Sequence, residues 1–345
     1  MRTVLFIPSL TWLSGGLATL YRLAATLAGL GHSVATTAMR PNIPGLEELT
    51  AQGIPFMDFA SLQLSPNDIW LVPESHPNAI AKGVEGGART VVYVQNWYYM
   101  LTGLPQGVQW GNLPVSFLSV SRPVSWFMQK TLGVRPIAEL PPVIAPCFFA
   151  APAARPGHIR IATMPRKNPA MARQMRDVAE ACLARHGRIP LEWVTLHNMP
   201  QEAVATTLAS CHIYLSTGFP EGFGLPPAEA MACGCVPVGC TGFGGWEFMR
   251  PVQPGTFTVP FLEDVCPAVP PYPLPLEPAN GFFTADGDTL AGGMALAAAV
   301  LLAMRQPAAH QALAQAGQHT ALRYTEQTQK QTVAHIWDML KETSI

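Results

Sequence analysis

The sequence predicts an α/β protein of two domains, each built on a parallel sheet with helices on both faces. Three observations support this fold class. The chain has 345 residues, and roughly 150 residues per domain is typical. Short apolar runs alternate with amphipathic segments of helical period. A proline-rich stretch, 141–158, interrupts the alternation, which then starts again.

The first half of the chain supplies six predicted strands. Residues 2–8 (RTVLFIP) form a continuous apolar run, which is typical of a strand buried on both faces of a sheet. Ser14, Gly15 and Gly16 are predicted to form a tight loop before a helix over 17–30. The other predicted strands cover 32–37, 69–72, 90–94, 115–120 and 137–140, and a further helix includes Phe127 and Met128.

The second half repeats the alternation. Its predicted strands cover 159–164, 191–196, 212–215 and 236–239. Its predicted helices cover 169–186, 201–209, a stretch from Pro227, and a segment to Met304 with Asp288 as N-cap. Residues 251–279 are rich in proline and are predicted to be a surface excursion. The tail, 324–340, carries an apolar stripe of Val333, Ile336, Trp337 and Leu340.

Composition and charge exclude several classes of protein. The chain has 21 basic and 22 acidic residues, which argues against binding nucleic acid through its phosphates. With 49% hydrophobic residues it is not disordered, and its apolar stretches are too short to span a bilayer. We expect a cytoplasmic protein, and the 12% charged residues leave peripheral membrane contact open. Seven cysteines without a CxxC pair indicate reduced thiols and no metal site.

The stretch 216–238 carries the strongest chemical signal. Gly222 and Gly224 follow a predicted strand and allow backbone N–H groups to approach a ligand, and the helix that follows presents its N-terminus to an anion. Glu221 in the loop and Glu229 in the first helical turn are predicted to line one edge of a cleft. Because carboxylates accept hydrogen bonds from hydroxyls, Glu229 suits a ribose and Glu221 a second sugar. These features describe a site for a nucleoside diphosphate sugar.

A basic pair, Arg166 and Lys167, follows the first predicted strand of the second half. Arginine offers a planar fork of donors, and lysine offers a point charge. Together they suit the negative charge that develops on a diphosphate when its bond to the sugar breaks. Since these cations and the helix end supply positive charge, no metal or other cofactor is expected.

Seven residues separate Glu221 from Glu229, with GFGLP between them and AMACG after them. This set, with the 14–16 glycine loop and the basic pair, resembles the signature of retaining glycosyltransferases of the two-Rossmann-domain (GT-B) type, family 4. The resemblance implies two Rossmann-like domains whose parallel sheets face each other across a cleft. It implies an acceptor domain over 1–150, a nucleotide-sugar donor domain over 151–322, and a C-terminal helix over 323–345 that crosses back to the first domain.

The resemblance also implies roles for individual residues. In such enzymes Glu229 would bind the nucleotide ribose and Glu221 the donor sugar, while Arg166 and Lys167 would bind the diphosphate. Further donor contacts would come from two glycine-containing loops: Gly15 and Gly16 in the first domain, and Gly222, Phe223, Gly224 and Leu225 in the second.

The acceptor side gives weaker signals. His76 and the segment 95–97 each follow a predicted strand, and His76 is a candidate catalytic group. Trp97, Tyr98, Tyr99 and Trp246 fit either stacking on an acceptor sugar or packing in a core. Asp286-Gly287-Asp288 resembles the metal-binding Asp-x-Asp of another glycosyltransferase architecture, but a turn and helix N-cap fits it better.

Three functions stay open. The leading hypothesis is a metal-independent retaining glycosyltransferase that moves a sugar from a UDP- or GDP-linked donor to a hydroxyl. Its acceptor would be a glycan, a lipid-linked molecule or a small molecule, for example in cell-envelope polysaccharide biosynthesis. One alternative is a non-catalytic sugar-nucleotide-binding partner subunit. The other is a dinucleotide-dependent oxidoreductase, which the SGGLA loop disfavours because it lacks the G-x-G-x-x-G spacing. The oligomeric state is open.

Overall fold

The structure, a computed structural model, describes residues 1–12, 14–149, 155–164 and 166–342. It divides the chain into two compact units: Met1–Val143 with Glu326–Ile345 (unit 1), and Ile144–Thr325 (unit 2). The chain therefore changes unit at 143/144 and again at 325/326. The domain boundary predicted after residue 150 falls on residues outside the description.

Unit 1 contains a seven-stranded sheet in which all neighbouring strands are parallel. Its strands are β1 (Arg2–Phe6), β2 (Ser33–Ala38), β3 (Phe56–Asp58), β4 (Asp68–Pro73), β5 (Arg89–Val94), β6 (Ser116–Ser119) and β7 (Ala138–Glu139). They lie in the order β3-β2-β1-β4-β5-β6-β7. Its first helices are α1 (Gly15–Gly29), α2 (Leu46–Ala51), α3 (Ile80–Glu85) and α4 (Arg122–Thr131). All six predicted strands are present, whereas β3, α2 and α3 are too short to show a period in the sequence.

The first helix begins earlier than predicted. Gly15 and Gly16 are its first two residues, so the prediction of a loop at these glycines is wrong. The reason is a helix cap: the Ser14 side-chain oxygen accepts the Leu17 N–H at 3.1 Å. This bond satisfies one of the free donors of the first turn, which places both glycines inside the helix.

Unit 2 contains a five-stranded sheet, also parallel throughout. Its strands are β8 (Ile159–Thr163), β9 (Leu191–Thr195), β10 (Ile213–Ser216), β11 (Val236–Cys240) and β12 (Phe282–Thr284), in the order β12-β11-β10-β8-β9. Its helices are α5 (Pro169–Ala184), α6 (Gln201–Ala209), α7 (Leu225–Ala232), α8 (Thr289–Arg305) and α9 (Pro307–Ala321). Sequence analysis missed β12, which has three residues, and α9, which is rich in alanine and glutamine and lacks a stripe of large apolar residues.

The helix α7 also begins earlier than predicted, at Leu225 instead of Pro227. Gly224 is its N-cap and has a left-handed conformation with φ 88°, which glycine adopts readily. Two prolines then fit the first turn, where an N–H is not needed. Glu229 is consequently the fifth residue of α7, and its predicted place in the first turn is wrong.

The proline-rich segment 251–279 is only partly a surface excursion. Its first half contributes four side chains to the core of unit 2: Val252, Val259, Leu262 and Val265. Its second half is exposed, for example at Val269 and Leu276. The prediction is therefore wrong for the first half, because isolated apolar residues between prolines show no period that would reveal which side faces inward.

The last helix, α10 (Glu326–Glu342), belongs to unit 1. The four residues of the predicted apolar stripe are all buried: Val333, Ile336, Trp337 and Leu340. The Trp337 indole Nε1 donates a hydrogen bond to Thr3 Oγ1 on β1 at 2.9 Å. The C-terminal helix is thus an integral part of the unit 1 core.

Within the described part of the chain, no single helix is long and apolar enough to cross a membrane. The helix α8 reaches the length and apolar composition of a membrane span only when the helical chain after it is included. The two are bent by 116° relative to each other. Most of the apolar residues of α8 are buried inside unit 2.

Candidate functional site

The candidate site lies at the carboxyl edge of the unit 2 sheet. There β8 and β10 are neighbours, but β8 leads through α5 to β9 on one side, and β10 leads through α7 to β11 on the other. In open parallel sheets such a reversal leaves a crevice outside the strand ends, where ligands bind. Arg166 and Lys167 follow β8, and Glu221 follows β10, so the topology brings these predicted site residues together.

The two loops at this crevice are bound to each other by side chains. Lys167 Nζ lies 2.8 Å from Glu221 Oε1 and donates to the Pro220 carbonyl at 2.9 Å. The next residue, Asn168, donates from Nδ2 to the Thr217 carbonyl at 2.9 Å. The Thr217 hydroxyl returns a hydrogen bond to the Lys167 carbonyl at 3.2 Å. The basic pair is therefore held at a defined place next to the acidic loop.

A small pocket opens between these loops. Its lining includes the two cations, Glu221, and residues of the neighbouring strands and helix: Arg166, Lys167, Tyr214, Glu221, Gly224 and Thr241. The pKa of the Tyr214 hydroxyl is raised, first by burial and then by the charges of Glu229 and Glu221. The tyrosine accordingly keeps its proton and can donate a hydrogen bond beside the pocket.

The loop after β11 supports Glu221 from behind. The Glu221 N–H donates to the Gly242 carbonyl at 2.9 Å, and the Gly244 N–H donates to the Glu221 carbonyl at 3.0 Å. The approach is close, because a Cβ at Gly244 would lie 2.2 Å from the Gly222 carbonyl carbon. Glycine is therefore required at 244 for this loop to lie against the acidic loop.

The start of α7 borders the same pocket and brings the positive end of the helix to it. Gly224, the N-cap of α7, lines the pocket together with Pro226 and Pro227. Phe223 has its side chain buried against Phe248 and Tyr324, with ring centroids 5.0 and 4.9 Å apart. Its side chain thus anchors the loop, which leaves only its backbone for a ligand.

Glu229 lies deeper than Glu221. The Glu229 residue is buried, at 7% exposure, whereas Glu221 is of intermediate burial with a side chain that is 24% exposed. Glu229 is not among the residues that line the pocket, although its charge reaches Tyr214, which does line it. The structure therefore brings Arg166, Lys167, Glu221 and Gly224 to one pocket and places Glu229 in the layer behind them.

The other predicted site residues, Gly15, Gly16 and His76, lie in unit 1 at the carboxyl edge of its sheet. Gly16 borders Gln95, since a Cβ at Gly16 would lie 2.6 Å from Gln95 Oε1. The His76 ring is 5.3 Å from the Phe6 ring, and its Nδ1 is 3.0 Å from the Ser75 hydroxyl. Burial lowers the pKa of His76, so the imidazole is neutral at pH 7 and able to accept a proton.

Sequence analysis did not single out Glu74, the residue that organises this edge of unit 1. Glu74 is 1% exposed, and its two carboxylate oxygens accept the N–H groups of Gln95 at 3.0 Å and Asn96 at 2.8 Å. Burial raises its pKa to about 7, against the opposing effect of these hydrogen bonds. A carboxylate directly after a strand whose centre is wholly apolar (Ile69, Trp70, Leu71 and Val72) is the signal that points to it, because acids are rarely buried without a partner.

The structure separates the aromatic candidates. Tyr98 and Tyr99 are 45% and 43% exposed and are available to a ligand. Trp246 is 4% exposed and belongs to the core of unit 2. Trp97 packs against Phe127, with ring centroids 5.4 Å apart. Packing therefore describes Trp246 and Trp97, whereas stacking of Tyr98 and Tyr99 on an acceptor sugar stays a prediction.

Among the described residues, no group of three or more histidine, cysteine, aspartate or glutamate side chains is arranged to hold a metal ion. Asp288 is the N-cap of α8, since its Oδ1 accepts the Ala291 N–H at 2.9 Å. This part of the Asp286-Gly287-Asp288 motif is thus a helix cap, as predicted.

No protein-family profile and no curated protein sequence matches the chain. Solved structures do. A glycosyltransferase from Rickettsia africae is 12% identical, with a TM-score of 0.68 over 99% of this chain and 99% of that chain. Anabaena HepE, in complex with UDP and glucose, is 14% identical, with a TM-score of 0.63 over 98% and 99%. Sucrose-phosphate synthase from Thermosynechococcus elongatus is 12% identical, with a TM-score of 0.65 over 99% and 100%.

These similarities establish the fold. The chain is similar over almost its whole length to proteins built from two parallel-sheet α/β domains. The predicted fold class, α/β of the GT-B type, is confirmed.

Proposed function

We propose that the protein is a glycosyltransferase that takes a sugar from a nucleoside diphosphate sugar and transfers it to a hydroxyl group. The observation that carries the proposal is the pairing of Lys167 with Glu221 at the strand reversal of unit 2, beside Arg166 and the N-terminus of α7. Such a site offers cations and backbone donors to a diphosphate and a carboxylate to sugar hydroxyls. The fold shared with glycosyltransferases supports the same conclusion.

In this proposal the diphosphate binds at Arg166, Lys167 and the start of α7. The diphosphate would compete with Glu221 for Lys167, so the carboxylate is released toward the donor sugar as the donor enters. Glu229 would hold the ribose through its carboxylate oxygens. As the bond between sugar and phosphate breaks, the two cations stabilise the charge on the leaving diphosphate, which makes transfer independent of a metal ion.

We further propose a retaining reaction of the family 4 type. The acceptor hydroxyl would attack the face from which the diphosphate departs, through an oxocarbenium-like state, and the departing oxygen would take its proton. The donor would be UDP- or GDP-linked; HepE was solved with UDP and glucose. Localisation in the cytoplasm, a role in polysaccharide biosynthesis and peripheral membrane contact stay predictions.

The acceptor is proposed to bind at the carboxyl edge of the unit 1 sheet. There the neutral His76 can hydrogen-bond and orient the acceptor hydroxyl, and Gln95 with the exposed Tyr98 can contact a glycan, a lipid-linked sugar or a small hydroxylated molecule. His76 is the candidate catalytic residue of this unit.

The test is an activity assay on the purified chain. UDP-glucose, GDP-mannose and ADP-glucose are each incubated with the protein and with simple sugar acceptors, with and without EDTA, and released nucleoside diphosphate is measured. We expect release with at least one donor, unchanged by EDTA, and retained anomeric configuration in the product by NMR. Donor binding without any hydrolysis or transfer would instead indicate a partner subunit, and the absence of binding would reject the proposal.

A further inference from the structure

The last described strand of unit 2 ends beside a half-buried carboxylate, Asp286, that the proposed chemistry does not use. Asp286 follows β12, and β12 is the neighbour of β11, which is in turn the neighbour of β10. Because the strands are parallel, the loops after β10, β11 and β12 lie side by side at one edge of the sheet. These are the loops that contain Glu221, Thr241 and Asp286.

The Asp286 carboxylate holds the loop after β11. Its Oδ1 accepts the Gly242 N–H at 2.9 Å, and its Oδ2 lies 3.5 Å from the Thr241 hydroxyl. Burial raises the pKa of Asp286, while hydrogen bonds from the backbone of Gly242, Thr241 and Phe243 oppose this rise. A half-buried carboxylate that accepts a backbone N–H and a hydroxyl from the same loop holds the path of that loop.

That loop in turn holds Glu221. Gly242 accepts the Glu221 N–H at 2.9 Å, and Gly244 donates to the Glu221 carbonyl at 3.0 Å. The two segments approach so closely that only glycine fits at 242. Gly242 has φ 66°, and a Cβ there would lie 2.8 Å from Glu221 Cβ. Both backbone polar groups of Glu221 are therefore bonded to the segment that Asp286 fixes, and the Glu221 carboxylate is left to pair with Lys167.

We infer that Asp286 is a positioning residue of the donor site, which acts through the 241–244 loop to set the place of the Glu221 carboxylate. The inference deepens the proposed function and rests on it. Small displacements of a group that binds substrate weaken binding and catalysis even when the mutated residue does not touch the substrate.

The chain offers a matched control two residues away. Asp288 is also a carboxylate that accepts a backbone N–H, but it caps α8 and does not bond to the 241–244 loop in the described structure. Loss of a helix N-cap costs about 1 kcal/mol of stability. Asp288→Ala therefore reports what a loss of stability alone does to the donor site.

The experiment measures donor binding by titration calorimetry for wild type, Asp286→Ala, Asp286→Asn and Asp288→Ala, with UDP-glucose and GDP-mannose as probes. We expect Asp286→Ala to weaken binding at least about tenfold. Asp286→Asn keeps an oxygen that accepts the Gly242 N–H and should bind within about threefold of wild type. Asp288→Ala should bind like wild type although it melts earlier. If Asp286→Ala does not fold, Asp286→Ser takes its place, because the shorter serine hydroxyl does not reach Gly242.

Three results would overturn the inference. The first is wild-type affinity in Asp286→Ala, or in Asp286→Ser where that replaces it. The second is an equal loss of affinity in Asp288→Ala, which would make the effect one of stability alone. In either case the wild-type protein still binds the donor, so the proposed function stands. The third is a wild-type protein that binds neither probe, which would overturn this inference as stated for UDP- and GDP-linked donors; the proposed function is rejected separately, if ADP-glucose also fails to bind.

Discussion

The carboxyl edges of the two sheets have the same topology and different chemistry. In each unit the sheet reverses beside its first strand, at β1 and β4 in unit 1 and at β8 and β10 in unit 2. The unit 2 edge presents Arg166 and a half-exposed pair of opposite charges, Lys167 and Glu221. The unit 1 edge instead encloses Glu74, a buried acid whose oxygens are used up by backbone N–H groups. The unit 2 edge thus presents a partly exposed ion pair, whereas the acid of the unit 1 edge is buried and bonded to the backbone.

This difference indicates that the fold determines where a ligand can bind, while the loop residues determine which ligand binds. A cation held by a partly exposed carboxylate and a carbonyl, as Lys167 is, can exchange the carboxylate for a phosphate, because both anions offer similar oxygens. A buried carboxylate cannot exchange its partners without leaving polar groups unsatisfied. The proposed placement of the charged donor at unit 2 and of the uncharged hydroxyl acceptor at unit 1 rests on this difference.

The largest effect is expected from Lys167→Ala. Removal of one group that stabilises developing charge lowers kcat/KM by about 10²- to 10³-fold. Because the Lys167 side chain is 31% exposed, the melting temperature should change little. Steady-state kinetics with the active donor measures this effect. The control is Lys130→Ala, an exposed lysine on α4 of unit 1, and an equal loss in that variant would contradict the assignment of the donor to unit 2.

The second effect concerns the stability of unit 1. Burial raises the pKa of Glu74 from 4.5 to about 7 in the folded protein. Between these values the folded state keeps a proton that the unfolded chain has lost, so the free energy of unfolding falls as the pH rises, and the loss is complete above the folded pKa. Chemical denaturation from about pH 5 to about pH 8 should show this fall in wild type and a flatter dependence in Glu74→Gln. Equal slopes would contradict the raised pKa.

Truncation of Glu74 tests whether the carboxyl edge of unit 1 is rigid. Glu74→Ala leaves the N–H groups of Gln95 and Asn96 without their acceptor. Each buried unsatisfied donor costs about 1–3 kcal/mol. Denaturation should show a loss of at least about 2 kcal/mol for Glu74→Ala at about pH 5, below the folded pKa, where the stabilising contribution of Glu74 is still present. A loss within experimental error of zero would show that water replaces the carboxylate and that this edge is not rigid.

The smallest effect distinguishes two glycines of one helix. Gly29→Ala meets nothing within 4 Å and should stabilise α1 by about 0.5–1 kcal/mol without changing activity. Gly16→Ala places a Cβ 2.6 Å from Gln95 Oε1, so it should gain less stability and should lower transfer activity by displacing Gln95. Thermal denaturation and the transfer assay compare the two variants. If the two variants show the same stability and the same transfer activity, the contact between Gly16 and Gln95 has no role in transfer.

Much of the fold was predictable because its signals are local. The apolar strands, the Asp288 cap and the stripe that includes Trp337 each occupy a few consecutive residues or one helical face. The ordered set from Glu221 to Glu229 was recognisable for the same reason, and the structure places it at the strand reversal where a ligand site is expected.

The rest depends on contacts between residues far apart in the chain. The bonds from Glu74 to Gln95 and Asn96 span more than twenty residues, and those from Asp286 to Gly242 span 44. No local pattern identifies such partners, so both carboxylates escaped prediction as positioning groups. The early starts of α1 and α7 escaped it because a side-chain cap and a left-handed glycine decide them within one residue.

The most direct test of the central claim, that the unit 2 edge binds a nucleoside diphosphate sugar, is ligand-dependent unfolding. A donor at ~100 times its Kd should add about 2.7 kcal/mol to the free energy of unfolding of the wild-type protein. The same concentration should add almost nothing to a Lys167→Ala/Glu229→Gln variant. Equal stabilisation of both proteins, or none of the wild type by any UDP-, GDP- or ADP-linked sugar, would contradict the account.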